Sequence, residues 1–420
     1  SFIKYKLTNR SYTGAVPPAA GAQNPANGLT AYLDGSANTL IKSFRNTSRS
    51  GGMYIEDNPN YGDIYNILSD LELNAPKRAT LRTIEGYGSL VAGYAPQFNP
   101  GNPYVPGVPA AGNNAAVPAV PGVAPTMTYT FTSGAMGTGE DAIAWGESRT
   151  FCKPILSSSI GQCQTKYMPL FLQGEQLLEF TWNREGLFTA ANGTVDFEIE
   201  EVELHLNLIN FSGDVHQRLL DMSKQTGLYI HGTQWSSQVS SVAANANKIN
   251  IMITEQLRSV KNVLVAFKIP RADTTHRAMG RISLGIRDFQ IKTATALYPH
   301  YPVRGNTADE KENSEFLAEL YKSMGLYANA NSCGIIDGTN YAKNDESKIN
   351  DVGRCVIGLD LDGFSKQPVE SGISLKNNGP MNIMINVGQP KACNAYVFMM
   401  HDVLYVIKPV TGSMFVNFKK

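Results

Sequence analysis

The amino-acid sequence predicts an all-β protein with a few short helices, built from two β-rich halves that follow one another along the chain. Only 17% of its 420 residues are charged, against roughly 25% in an average soluble domain. The chain holds 38 glycines, and Asn and Ser are also plentiful. This composition favours many strands joined by turns, because helical proteins are richer in Glu, Lys and Arg.

The first half begins with a segment that predicts a strand, a turn and a helix. "TLIKSFRNTS" alternates loosely between apolar and polar residues, and Gly51-Gly52 turns the chain. In "YGDIYNILSDLEL" the apolar residues Ile64, Ile67 and Leu68 recur at helical spacing. Asp63 lies near the first turn, where the helix dipole favours an acid. We therefore expect one short helix over 61–73. Further along, "TMTYTFTSG" alternates as a strand.

The clearest strand pattern is "VDFEIEEVELHLNLINF", residues 195–211. Its apolar residues occupy odd positions up to Ile199 and even positions from Val202 onward. The phase shifts by one residue at Glu200 and Glu201, which predicts a β-bulge within a long strand. The alternation also predicts that one face of this strand is buried and the other faces water.

A short helix is predicted between the two halves. "SGDVHQRLLDMSK", residues 212–224, has an N-cap candidate in Ser212 and stops before Gly227. The halves on either side are each about 200 residues long and rich in strands, so we interpret them as two eight-stranded jelly rolls in tandem. The predicted units are a first jelly roll over 1–212, a helical connector over 213–226 and a second jelly roll over 227–420.

One further helix is predicted in the second half, over residues 307–325. It would place Phe316, Leu317, Leu320 and Tyr321 on one face. We expect that face to pack against the β-core of the same chain. Packing against a neighbouring molecule is the alternative.

A stretch rich in Pro, Gly and Ala, "NPGNPYVPGVPAAGNNAAVPAVPGVAP", lies inside the first half, at residues 99–125. It carries no charge and no periodic apolar residues, and strands are predicted on both sides of it. We therefore interpret 93–126 as a long loop of the first jelly roll and not as a linker between domains. The residues expected on its outer surface are Pro103, Pro106, Pro109, Pro118 and Pro121.

The charge balance argues against direct packaging of nucleic acid. Lys plus Arg and Asp plus Glu each number 36, whereas proteins that bind nucleic acid without a partner usually carry a basic excess. We expect no sequence-specific binding to nucleic acid. A net charge of zero also does little to keep copies of the chain apart. The five cysteines form no CxxC pair, so we expect reduced thiols and an intracellular folding environment. With neither a signal peptide nor a long apolar run, no membrane span is expected.

The motifs for catalysis and cofactor binding are weak, and we expect no catalytic, cofactor or metal site. None of the six histidines lies in an HxxxH pair. "DLDG", residues 360–363, begins like a calcium loop, but the Glu that follows has the wrong spacing. "GAMGTGED", residues 134–141, is rich in Gly but lacks the GK[ST] ending of a phosphate loop. The sequence therefore indicates a protein that is not an enzyme.

Several segments, taken in order, resemble the double jelly-roll major capsid proteins of the Polinton-like virus, adintovirus and virophage group. That group is related to the capsid lineage of the nucleocytoplasmic large DNA viruses. "GGMYIEDNPNYGDIYNILSDLEL" is similar to the N-terminal segment of the family. "LSSSIGQCQTKYMPLFLQGEQLLEFTWN" resembles the end of its first jelly roll, where a Pro-Leu pair such as Pro169-Leu170 opens a strand and an F-N pattern such as Trp182-Asn183 closes it. "VIGLDLDGFSKQPVESGISLKNNGPMNIMINV" and "AYVFMMHDVLYVIKPVTGSMFVNF" are similar to strands of its second jelly roll.

The resemblance implies a structural protein of the virion, made and assembled inside the host cell. Members of the family form homotrimers whose six jelly rolls make a pseudo-hexagonal capsomer, and these capsomers tile an icosahedral shell around a DNA genome. The implied partners are further copies of the chain, neighbouring capsomers, and penton and minor capsid proteins; contact with an inner membrane stays open. Two alternatives remain, a carbohydrate-binding or adhesin-type β-sandwich protein and a jelly-roll enzyme of the cupin kind.

Overall fold

In the computed structural model the chain folds into antiparallel sheets with short helices between them. The described residues fall into two compact units, one made of 1–88 and 141–420 and the other of 89–140. The structure describes residues 1–19, 25–48, 53–87, 94–99, 126–131, 142–161, 169, 175–189, 191–271, 274–275, 277–327, 334–343, 353–363, 371–407 and 414–415.

The described strands before residue 206 pair only with one another. In the larger unit they form three antiparallel sheets, with the orders β10-β1-β7, β4-β3-β8 and β2-β9. Their bounds, together with those of β5 and β6 in the smaller unit, are β1 (Phe2–Asn9), β2 (Ala31–Leu33), β3 (Ile41–Ser48), β4 (Met53–Asn58), β5 (Tyr94–Asn99), β6 (Thr126–Phe131), β7 (Ser148–Pro154), β8 (Gln176–Trp182), β9 (Leu187–Thr189) and β10 (Phe197–His205).

The described strands after residue 227 form two further antiparallel sheets. One has the order β11-β18-β13-β16, with β19 also paired to β18, and the other has the order β12-β17-β14-β15. Their bounds are β11 (Leu228–Val242), β12 (Lys248–Ile253), β13 (Val260–Lys268), β14 (Ile286–Lys292), β15 (Leu297–Arg304), β16 (Ile357–Asp360), β17 (Met381–Val387), β18 (Cys393–Ile407) and β19 (Met414–Phe415).

The second pair of sheets shows why these sequences form strands. In β17 the buried residues alternate with half-buried ones, so that Met381, Ile383, Ile385 and Val387 line one face. By contrast, β13 is buried at all nine positions, as expected of a strand with a neighbour on each side and packed layers on both faces. The core of this half therefore lies between the sheets, and β13 is an interior strand of one of them.

Six α-helices are described. Their bounds are α1 (Tyr61–Glu72), α2 (Ala75–Glu85), α3 (Gly213–Gln225), α4 (Ser314–Ser323), α5 (Gly338–Tyr341) and α6 (Leu375–Asn378). The helices predicted over 61–73 and 212–224 are confirmed as α1 and α3.

One expectation about the helices was wrong, and one helix was missed. The helix predicted over 307–325 begins only at Ser314 in α4, because residues 307–313 form turns. Helix α2 was not predicted; Asn74 caps its N-terminus by accepting a hydrogen bond from the Lys77 N–H, and Gly86 ends it in a left-handed conformation. The expected packing of α4 within the chain is confirmed, since Phe316 is fully buried and stacks on Phe289 at 5.8 Å.

The predicted bulge in the first half is present. Strand β10 pairs with β1 in a register that shifts between Lys4 and Lys6, opposite Glu203 and Glu200. The extra residue of β10 is accommodated at Glu201, whose backbone φ is +52°. The strand ends at His205, however, and every residue from Glu200 to Val215 is exposed. The prediction of a buried face was therefore wrong beyond the bulge.

The smaller unit contains a hairpin. Strands β5 and β6 pair antiparallel from Tyr94 opposite Phe131 to Asn99 opposite Thr126. The predicted loop over 93–126 is corrected accordingly, since residues 94–99 form a strand. The Pro-rich stretch over 100–125 lies outside the described residues.

Candidate functional site

The two sets of sheets meet along a junction that is buried and charged. Carboxylates from the first half, Asp34, Asp63 and Asp70, each bind a cation that follows α3 in the chain. Asp34 directly follows β2, and the other two lie on α1. Since acids lie on one side and bases on the other, the two halves are complementary in charge where they touch.

Asp70 binds three guanidinium groups. Its Oδ1 accepts hydrogen bonds from Arg78 at 2.6 Å and Arg354 at 2.5 Å, and its Oδ2 accepts one from Arg281 at 2.5 Å. The Asp70 side chain is fully buried. Burial alone would raise the pKa of this carboxyl, but Arg354, Arg281 and Arg78 together hold the pKa well below its usual range. The group therefore stays ionised at neutral and at mildly acidic pH.

Two more ion pairs join the halves. Asp34 accepts a hydrogen bond from Arg277 Nε at 2.7 Å and another from the backbone N–H of Met279 at 2.8 Å. Asp63 binds the ammonium group of Lys268, the last residue of β13. Both carboxylates approach from the first half and both cations come from the second. Each pair fixes the position of one half relative to the other.

Buried ion pairs of this kind specify an arrangement more than they add stability. Desolvating two charges costs several kcal/mol, and their attraction does little more than offset it. Removing one partner is different, because the charge left behind is buried without compensation and costs about 3–5 kcal/mol. The junction therefore favours one docking geometry and penalises any other.

A buried carboxyl without a described cation lies beside this junction. Glu56 of β4 accepts hydrogen bonds from the Ser157 hydroxyl at 2.5 Å and from the backbone N–H of Ser158 at 3.2 Å. Burial outweighs these hydrogen bonds and raises the pKa of Glu56 to about 7. The Ser158 hydroxyl in turn bonds that of Tyr405 in the second half. Glu56 thus supports a turn that contacts the other half.

A cavity of about 670 Å³ opens at the same junction, between β4 and the strands β11 and β18. Its walls include Tyr54, Gln234 and His401. His401 is 6% exposed, and burial lowers its pKa to about 4, so the imidazole is neutral at physiological pH. Asp402 beside it is paired with Lys261 at 2.7 Å. His401 is thus neutral and Asp402 is paired, so neither side chain brings an unpaired charge to the cavity wall.

The structure brings no predicted site residues together, and the sequence predicted none for catalysis or metal binding. Within the described ranges, no group of three His, Cys, Asp or Glu side chains is placed to hold a metal ion. The described cysteines, Cys152, Cys355 and Cys393, are free thiols. No described helix combines the length and apolar character needed to cross a membrane. The expected outer-surface prolines all lie outside the described residues: Pro103, Pro106, Pro109, Pro118 and Pro121.

One surface that sequence reasoning missed is an exposed run of apolar side chains at the end of β10. We call it the apolar ridge. Single exposed apolar residues are normal on soluble proteins, but six within ten residues form a patch that usually marks an interface. The ridge consists of Val202, Leu204, Leu206, Leu208, Ile209 and Phe211, which are 37–69% exposed.

No protein-family model and no curated protein matches the sequence. Solved structures do match. The structure of PBCV-1 VP54 fitted into a reconstruction of the virophage Sputnik aligns over 100% of this chain and 97% of its own, with a TM-score of 0.51 and 10% identity. The Faustovirus major capsid protein aligns over 97% of this chain and 85% of its own, with a TM-score of 0.51 and 9% identity. The chain is a double jelly roll.

The match explains the architecture described above. The two similar structures are double jelly-roll capsid proteins, and the alignment extends across both β-rich halves of this chain. The fold expected from the sequence, two jelly rolls in tandem with a few short helices, is confirmed. At about one identical residue in ten, the likeness is one of fold. The chemistry of the double jelly roll must therefore be argued from its own residues.

Proposed function

We propose that this double jelly roll is a viral major capsid protein, a structural component of the virion and not an enzyme. The observation that carries the proposal is the alignment of the fold from end to end with capsid proteins, on 100% and 97% of this chain. An enzyme or an adhesin built on one jelly roll would give no reason for the second. A capsid protein would give a reason for it, since three chains with two rolls each supply the six jelly rolls of a pseudo-hexagonal capsomer.

The buried junction supports the same conclusion. Ion pairs made by three carboxylates, Asp34, Asp63 and Asp70, link the two rolls. A shell built from many copies needs each copy to have the same shape, and the buried charges penalise alternatives. We place the boundary between the rolls in the connector 213–226, because every described ladder joins strands on the same side of it.

The proposed assembly is a homotrimer that forms a pseudo-hexameric capsomer, and these capsomers tile an icosahedral shell around a DNA genome. Threefold symmetry closes such a ring through contacts between two different surfaces of each chain. The Pro-rich stretch within 93–126 is proposed to lie on the outer face of the capsomer. Penton and minor capsid proteins are the further partners, and assembly takes place inside the host cell.

The test is the mass of the native protein, measured by light scattering after size exclusion. The chain has a mass of 45.7 kDa, so a trimer has three times that mass, about 137 kDa. A trimer that survives dilution, together with shells in electron micrographs at high concentration, is the expected result. A monomer at every protein and salt concentration would overturn the capsomer. The binding-module alternative would then be tested on a glycan array.

A further inference from the structure

The apolar ridge continues a face that is buried elsewhere in the same sheet. Leu204 lies directly opposite Ile3 of β1, and Ile199 lies opposite Leu7. Cross-strand partners point to the same face of a sheet. Ile3 is 1% exposed and Leu7 fully buried, whereas Leu204 is 39% exposed. The core face of this sheet thus extends beyond the part of the chain that covers it.

Strand β10 also lies at the edge of its sheet, since among the described strands only β1 pairs with it. An edge strand leaves backbone N–H and C=O groups without a strand partner. Natural proteins usually protect such an edge with charges or a covering segment. Beyond the bulge, the β10 edge instead leads into the exposed segment 206–211, in which four of the six residues are apolar and which has no regular secondary structure.

The charges around the ridge are already neutralised within the chain. Glu198, Glu200 and Glu203 of β10 pair with Arg10 at 2.9 Å, Lys6 at 3.1 Å and Lys4 at 3.0 Å. A nucleic acid or an anionic lipid surface would be recognised by unpaired basic residues, whereas these three bases are already paired with carboxylates of β10. A second copy of this chain, whose net charge is zero, can pack on the ridge without any unpaired basic residue.

The size of the ridge also suits a protein interface. From their exposed fractions, its six residues present roughly 500 Å² of surface, most of it apolar, against roughly 800 Å² per partner in a standard protein interface. Leu208, the most exposed of them at 69%, stands at the centre of the segment 206–211. A patch of this area is large enough to form most of one side of a stable contact.

We propose that the apolar ridge is the surface by which one copy of this chain packs against the next in the trimer. The inference rests on the proposed capsomer and adds its contact surface. Because a threefold ring is closed by heterologous contacts, the ridge of one copy packs on a different surface of its neighbour. The neighbour thereby supplies the cover that the core face of β10 lacks.

The test uses the full chain with the substitutions Leu208→Ser, Ile209→Ser and Phe211→Ser together. These positions lie outside helices and strands and are 47–69% exposed, so we expect the fold to be retained. The expected result is a threefold drop in native mass, from trimer to monomer, with unchanged circular dichroism. The matched control is Tyr301→Ser with Tyr327→Ser, two aromatic residues that are 78% and 70% exposed away from the ridge, and it should stay trimeric.

The outcomes separate the two proposals. A monomeric wild-type protein would overturn the capsomer and the ridge contact with it. A wild-type trimer with a ridge variant that is also a trimer would overturn the ridge contact alone. If the variant fails to fold, hydrogen exchange on the wild-type trimer decides. We expect amides of 206–211 to exchange at least tenfold more slowly in the trimer than in monomer obtained by dilution or mild denaturant, and equal rates would refute the contact.

Discussion

The carboxyl of Glu56 should make the stability of the protein depend on pH near neutrality. It is buried, with 3% of its surface exposed, and among the described residues it receives hydrogen bonds but no ion pair. Its pKa is raised from 4.5 to about 7. Since each pKa unit corresponds to about 1.4 kcal/mol, ionising Glu56 in the folded protein costs about 3 kcal/mol.

The sign follows from which state holds the proton. Below pH 4.5 the group is protonated in both the folded and unfolded states, and its contribution is constant. Between pH 4.5 and 7 the unfolded chain loses the proton while the folded chain keeps it, so the free energy of unfolding falls as pH rises. Above pH 7 the full cost is present. The free energy of unfolding is therefore highest in acid, and the contribution of Glu56 has lowered it fully by pH 8.

The perturbation is Glu56→Gln, which keeps the shape of the side chain and removes its charge. We expect the variant to be as stable as the wild type at pH 5 and up to about 3 kcal/mol more stable at pH 8. The assay is urea unfolding followed by fluorescence at four pH values from 5 to 8. Glu179→Gln on β8 of the same sheet is the control; the Glu179 side chain is half exposed, so the variant should show no such trend. A stability difference between variant and wild type that is the same at every pH would refute the reasoning, since it would mean that Glu56 has the same pKa in the folded and unfolded states.

Three further predictions concern packing, and each is measured by urea unfolding. Asp70→Asn leaves three buried guanidinium groups without their counter-charge and should lower the free energy of unfolding by about 3–5 kcal/mol. The control Asp57→Asn breaks a partly exposed ion pair and should lower it by less than about 1 kcal/mol. Equal losses would contradict the role of the junction. Phe316→Ala removes a fully buried ring from the face of Phe289 and should cost about 3–5 kcal/mol; a cost below about 1 kcal/mol would show that α4 is not held by this contact. Gly334→Ala places a Cβ in steric clash with the backbone carbonyl oxygen of Asp70 and should lower the unfolding midpoint. An unchanged midpoint would mean that the loop can move away from α1.

Local patterns predicted the features that depend on neighbouring residues. The change of alternation at Glu200 and Glu201 predicted the bulge because a side chain can change face only if the strand gains a residue. Helix α1 was predicted because its apolar residues recur at helical spacing. Helix α2 was not, since "APKRATLRTIE" has few apolar residues and its signals, Asn74 at the N-cap and Gly86 at the end, lie outside the periodic pattern.

The junction could not be predicted in the same way. Asp70 and Arg281 lie 211 residues apart, and Asp70 and Arg354 lie 284 apart. A single sequence shows that the chain contains balanced charges, but not which acid meets which base. That pairing is fixed by the docking of the two jelly rolls, and the pattern of residues within either roll does not show how it docks on the other. The pKa values of Glu56 and His401 depend on the same docking, because both side chains are buried where the rolls meet.

The apolar ridge marks the limit of alternation as a guide. A period of two shows which residues share a face of the sheet, but it does not show which molecule covers that face. Val195, just before β10, is 5% exposed, and Val202, after the bulge, is 51% exposed, although both belong to the same regular alternation in the sequence. A face that packs within the chain and one that packs on another copy need the same apolar residues. The predicted buried face was wrong for the monomer, and that is the error we expect if a second copy completes the core.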